Sequence, residues 1–216
     1  MAPGRPNDRH HAGRKSQRAC APADTRQIAL SDMRIVATPL PEVLIIEPLV
    51  FGDERGFFYE SFNHQAFMAA TGLDVQFVQD NHSHSRRGVL RGLHYQLQQA
   101  QGKLVRTSAG EIYDVAVDLR RSSPHFGRWF GLHLSADNKR QLWIPPGFGH
   151  GFLALSEHAE YLYKTTHYYT PEHERCIAWN DPDLAIDWPM PKDLPAPLLS
   201  PKDAAGTSLR DAEVYA

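Results

Sequence analysis

The sequence predicts an all-β domain, a sandwich or a barrel. Three observations carry that reading. Short strand-like runs recur at regular spacing after Met33, and one clear helix stands among them. Glycine and proline punctuate the gaps between runs, as turns demand.

Taken in order, "VLIIEPLVF" (43–51) is β-branched and extended, and "GDERG" (52–56) follows it as a turn. "FFYESF" (57–62) resumes extended chain. "NHQAFMAATG" (63–72) is the helix, with Asn63 placed to cap its start and Gly72 to end it. Strand-like runs then follow closely: "VQFVQDNHS", "GVLRGLHYQ", "KLVRTSAGEIYDVAVDLR", "WFGLHLS", "QLWIPPGFGHGFLAL" and "EYLYKTTHYY". Within "EIYDVAVDL", Ile112, Asp114, Ala116 and Asp118 fall on one face, and Tyr113, Val115, Val117 and Leu119 on the other. "SAG", between "KLVRT" and "EIYDV", reads as a hairpin loop. The proline-rich stretch "WPMPKDLPAPLLSPKDAAG" is expected to wrap the surface as irregular chain.

With 216 residues, 42% hydrophobic and 22% charged, the chain has the make-up of one globular domain plus a tail. A formal net charge of -2, with no basic block in the body, argues against general nucleic-acid binding. No apolar run approaches a membrane span, so no membrane partner is expected. The chain has two cysteines, Cys20 and Cys176, which argues for a reducing cytoplasm over a disulfide framework. Residues 1–32 are rich in Arg, Pro, Ala and His without a hydrophobic period. They are expected to be a disordered or non-native extension, with a single domain over 33–216.

"GVLRGLHYQ" raises a chemical question, because Arg91 and His94 are both costly to bury in a strand without partners. Three residues apart, they should face opposite ways in a regular strand. A twist or bulge near Gly92 would have to bring both into one cavity. Further on, "IPPGFGHGF" contains P-x-G-x-x-H through Pro145, Gly147 and His150. That pattern resembles the second motif of cupins, which are double-stranded β-helix or jelly-roll barrels with few short helices. Metal-binding cupins add an H-x-H pair on an earlier strand. Here His94 is followed at that spacing by Gln96, so a metal-dependent cupin reading is thin and no metal ligands are assigned.

"FGDERGFFYESFN", "FVQDNHSHSRRGVLRGLHYQ", "QGKLVR", "GEIYDVAVDLRRSSPHFGRW", "WIPPGFGHGFLAL", "YLYKTTHYY" and "WNDPDLAIDWP" occur in order. Together they resemble the dTDP-4-dehydrorhamnose 3,5-epimerase family from about Met33 to Asp203. The resemblance implies an isomerase acting at C3 and C5 of dTDP-4-keto-6-deoxy-D-glucose, with no cofactor. The C4 ketone acidifies both C–H bonds, so the chemistry needs a base, a donor to the enolate oxygen and an acid on the opposite face. By the same resemblance His94 is the base, Asp203 its carboxylate partner, Lys103 the oxyanion donor and Tyr163 the acid. Tyr161 shares the parity of Tyr163. Arg55 and Arg91 match diphosphate ligands, with Lys202 a further candidate. Glu60, Gln79 and Asn81 would meet the thymine, with Phe51 or Phe58 packing on it. His150 and Glu174 match residues of the sugar pocket. A homodimer is also implied, with the segment from Arg55 to Glu60 crossing to the partner's site. The rival readings are a single-centre 3- or 5-epimerase, the metal-dependent cupin, and a sugar-binding barrel without catalysis.

Overall fold

In the computed structural model, which describes Met1 and residues 33–216, two antiparallel sheets enclose one apolar interior. The expectations for the N-terminal extension, Met1 apart, lie outside the described residues. The first sheet has six strands in the order β1 (Arg34–Ala37), β2 (Leu44–Glu47), β10 (Gln141–Ile144), β7 (Lys103–Ala109), β12 (His158–Thr165) and β5 (Gln79–Arg86). The second has five, in the order β13 (Glu174–Cys176), β6 (Leu90–Gln96), β11 (Phe148–Ala154), β8 (Glu111–Asp118) and β9 (Trp129–Ser135). A separate hairpin pairs β3 (Phe51–Asp53) with β4 (Gly56–Phe58). The all-β reading therefore holds.

The alternation in β8 has a direct structural meaning. Ile112 and Ala116 join the cluster between the sheets, with Val105, Leu134, Leu142 and Phe152. Val115, Val117 and Leu119 join a second cluster that the C-terminal chain covers through Leu184, Trp188 and Leu209. Both faces are buried, so beyond the half-buried Glu111 at its start the strand is apolar on both, with Asp114 and Asp118 the exceptions. The C-terminal chain is held by isolated bridges at Leu198, Thr207 and Tyr215 and is mostly irregular. One short helix, α2 (Pro201–Ala204), interrupts it.

The first helix, α1 (His64–Thr71), forms where its caps predict. Asn63 accepts from the Ala66 N–H at 3.2 Å, and Gly72 closes the end in the left-handed region at φ 73°. The helix drives Phe67 against Ile46, Leu104 and Trp143 on the outside of the six-stranded sheet.

The "SAG" expectation needs correcting. β7 pairs with β10 and β12, whereas β8 pairs with β11 and β9, so the two strands are not a hairpin. The chain instead crosses from one sheet to the other at Gly110, whose φ is 71°. A Cβ there would sit 2.1 Å from the His158 carbonyl oxygen, so the crossing requires glycine. A local turn signal cannot tell a hairpin from a corner between sheets, since both need the same backbone conformation.

Candidate active site

A cavity of about 330 Å³ opens between the two sheets. The six-stranded sheet lines it with Gln79, Asn81 and Ser83 from β5, Lys103 from β7, and Tyr161 and Tyr163 from β12. The five-stranded sheet supplies Arg91 and His94 from β6, His150 and Phe152 from β11, and Glu174 from β13, while Lys202 reaches in from α2. Arg91 and His94 thus share one cavity, as anticipated. The ladder between β6 and β11 slips between His150 and Phe152. Gly92, at φ 121°, passes so close to β11 that a Cβ would lie 2.6 Å from Gly151 Cα and 2.7 Å from the His150 carbonyl oxygen.

His94 Nε2 lies 2.8 Å from Asp203 Oδ1. The approach is off the line of an N–H bond, so Nε2 has no aligned hydrogen-bond partner among the described residues. Asp203 is itself firmly held. Its Oδ1 accepts from the Gly92 N–H at 2.9 Å, and its Oδ2 accepts from Ser200 Oγ at 2.6 Å. Burial works to raise the Asp203 carboxyl, but His94, Ser200 and the Gly92 N–H outweigh it and hold the group well below the usual carboxylate range. Asp203 is therefore an anion behind the imidazole at neutral pH.

Lys103 is buried at the start of β7, its ammonium 3.5 Å from the His94 carbonyl oxygen. Loss of hydration pulls its pKa down to about 8, against the opposing pull of Asp114 and Glu174. It remains mostly charged at pH 7, in surroundings where a charge acts strongly on a neighbour.

The two tyrosines of β12 differ in what their hydroxyls do. Tyr161 donates to Asp114 Oδ2 at 3.2 Å and lies 3.1 Å from His150 Nε2, which in turn is 3.0 Å from both Asp114 oxygens. Those three groups form a closed, buried network. Burial lowers the His150 pKa and raises that of Tyr161, so both are neutral at pH 7. Tyr163, by contrast, lines the cavity, and its hydroxyl has no hydrogen-bond partner among the described residues. Burial, with Glu174 nearby, also raises its pKa.

Toward the open side, Glu174 accepts from Lys202 Nζ at 2.8 Å and from the Tyr169 hydroxyl at 2.7 Å. Gln79 donates to Asn81 Oδ1 at 2.9 Å, which leaves Asn81 Nδ2 and the neighbouring Ser83 Oγ buried without partners among the described residues. Arg91 donates to Ser85 Oγ at 3.1 Å. Four of the expected residues, Phe51, Arg55, Phe58 and Glu60, do not line this cavity. Phe51, Arg55 and Phe58 belong to the β3–β4 hairpin, Glu60 follows it, and all four are exposed.

Residues 37–211 match the family model described as dTDP-4-dehydrorhamnose 3,5-epimerase. A Pseudomonas aeruginosa protein of that description is 62% identical over 183 residues, covering 85% of this chain and 99% of its own. The chain belongs to the dTDP-4-dehydrorhamnose 3,5-epimerase family. Its cupin fold agrees with solved members. A Legionella pneumophila epimerase in complex with dTDP-4-keto-L-rhamnose superposes with a TM-score of 0.81 at 55% identity, over 84% of this chain and 95% of that one. A 3'-monoepimerase from Streptomyces bikiniensis, in complex with dTDP-quinovose, has a TM-score of 0.75 at 34% identity, over 81% and 87%.

Sequence reasoning left without roles Tyr169, which lines this cavity, and Asp114, which is buried against His150 and Tyr161. Asp114 did leave a trace, as one of two carboxylates, with Asp118, on the inward parity of a mostly apolar strand. Tyr169 left none, since its contact with Glu174 depends on the path of a loop.

Proposed function

We propose that the chain epimerises dTDP-4-keto-6-deoxy-D-glucose at C3 and C5, giving dTDP-4-keto-L-rhamnose, by proton transfer through an enolate. One observation carries the assignment of roles. His94 with its Asp203 carboxylate stands on one sheet, and the unengaged Tyr163 hydroxyl stands on the other, across a single cavity.

The His94 nitrogen turned away from Asp203 takes the proton from C5 or C3, and Asp203 stabilises the imidazolium that results. The C–H electron pair moves onto the C4 oxygen, where Lys103 balances the charge. Tyr163 then gives a proton to the opposite face, which inverts the centre, and solvent restores both groups. No hydride moves, so no nicotinamide is called for. Arg91 and Lys202 suit the diphosphate, and Gln79, Asn81 and Ser83 offer polar atoms to the base. His150 and Glu174 shape the sugar end. A nucleotide-sugar pathway and the free thiol of Cys176 both favour the cytoplasm. Among the described residues no helix is long and apolar enough to cross a membrane.

The proposal includes a homodimer. Phe57 and Phe58 are 63% and 68% exposed on a hairpin that does not line its own cavity. Such a patch is expected to be covered, and a partner's cavity would give Phe51, Arg55, Phe58 and Glu60 their expected role.

The deciding experiment is incubation with dTDP-4-keto-6-deoxy-D-glucose in deuterated water, followed by mass and NMR analysis of the product. Two deuterons at two inverted centres are expected. One deuteron at one inverted centre would favour a single-centre epimerase, the reading that the resemblance to the monoepimerase supports. No exchange at either carbon would defeat the proposal.

A further inference from the structure

Behind the proposed base lies a donor set that enolate chemistry does not use. Cys176 sits directly opposite His94 in the ladder between β13 and β6. A ring nitrogen of His94, the Cys176 sulfur and an Asp203 oxygen all lie within 4.8 Å of one another. His94 Nε2 is buried there without an aligned hydrogen-bond partner. Among the described residues the thiol makes only a weak 3.6 Å contact to the Ile177 carbonyl oxygen.

We propose that His94, Cys176 and Asp203 form an inhibitory binding site for a borderline-soft divalent ion of the zinc type. Nitrogen, sulfur and carboxylate oxygen are the donors such an ion takes, and the thiolate selects against magnesium and calcium. Bonds of the usual length around a tetrahedral ion set the donors about 3.3–3.5 Å apart. The 2.8 Å contact between His94 and Asp203 must therefore open by roughly half an ångström, while Cys176 moves in. The thiol releases its proton to solvent as the ion binds, and a water completes the fourth position. The bound ion occupies His94 Nε2 and takes Asp203 away from it, so the ring can no longer accept a proton as imidazolium. Ion binding stands independently of the proposed reaction; inhibition rests on His94 being the base.

Cobalt(II) is the probe, added to the full-length chain after chelator treatment and buffer exchange. One equivalent should raise a thiolate-to-cobalt charge-transfer band and the visible bands of tetrahedral cobalt. Both should vanish in Cys176→Ser and persist in Cys20→Ser. In metal-free buffer Cys176→Ser should turn over like the parent, and it should need at least about tenfold more zinc for half-inhibition. Cobalt bands unchanged by Cys176→Ser, or no stoichiometric binding by the parent, would overturn the site. The expected bands together with full turnover in saturating zinc would confirm the site and overturn the role of His94 as base.

Discussion

His94 and Tyr163 are held very differently, and that difference makes their roles separable. Asp203 is anchored by the Gly92 N–H and Ser200, so His94 has a fixed anion behind it. Replacing His94 by Asn should abolish solvent deuterium uptake and inversion together, since a general base contributes on the order of 10²–10⁴-fold. Replacing Tyr163 by Phe should leave exchange at one carbon at least, because His94 can still form the enolate and return a proton to the same face. Inversion should fall far more. Comparing deuterium in recovered substrate with deuterium in product measures this, and a Tyr163→Phe enzyme inverting both centres at the parental rate would make Tyr163 a packing residue. Lys103 gives a test in pH. Its pKa is drawn down by burial to about 8, so raising pH through that region removes the charge proposed to steady the enolate. The parental kcat/KM should fall on an alkaline limb near pH 8. Lys103→Met should lose roughly 10²–10³-fold in turnover and show no such limb. A limb of the same position in that variant would assign it to another group.

At the scale of elements, the site depends on two departures from regular structure. The slip between β6 and β11 turns Arg91 into the same cavity as His94, and Gly92 permits it by leaving room for Gly151 and the His150 carbonyl. Gly92→Ala should therefore lower stability by more than about 3 kcal/mol, from a positive φ and a backbone clash together. Chemical denaturation measures the change, and a loss under 1 kcal/mol would mean the strands can separate cheaply there. The second departure is α2, one turn within chain expected to be irregular. Ser200 accepts from the Asp203 N–H at 3.1 Å and donates to its carboxylate, so a single cap both starts the helix and aims the carboxylate beside His94. The sequence shows Ser-Pro-Lys-Asp, a good helix start, but a single turn has no hydrophobic period to announce it.

For the whole molecule, the exposed β3–β4 hairpin is the feature a single chain leaves unexplained. Substituting both Phe57 and Phe58 by Ser should turn the proposed homodimer into a monomer in sedimentation, because each buried Phe is worth about 1.5–3 kcal/mol at an interface. The nucleotide-sugar KM should rise at the same time, because the proposed dimer puts Arg55 and Glu60 in the partner's cavity. A variant that stays dimeric would place the interface elsewhere. Residues 1–32 lie outside the family match at 37–211. Their removal should leave the melting temperature unchanged and turnover within about twofold, measured by calorimetry and by the product assay.

The sequence by itself determined the all-β class, the helix between Asn63 and Gly72, and the division of β8 into its two faces. Each of these is written in local periodicity or in a cap, which depend on residues a few positions apart. Ordered motifs carried the family and singled out His94, Lys103, Tyr163 and Asp203 together. The tertiary structure alone decided that "SAG" is a corner between sheets rather than a hairpin. It alone closed Tyr161, His150 and Asp114 into one network while leaving Tyr163 unengaged, and it alone set Cys176 beside His94 and Asp203. These are contacts between strands far apart in the chain. Such contacts follow from which strand lies beside which, and no local pattern in the sequence encodes that order.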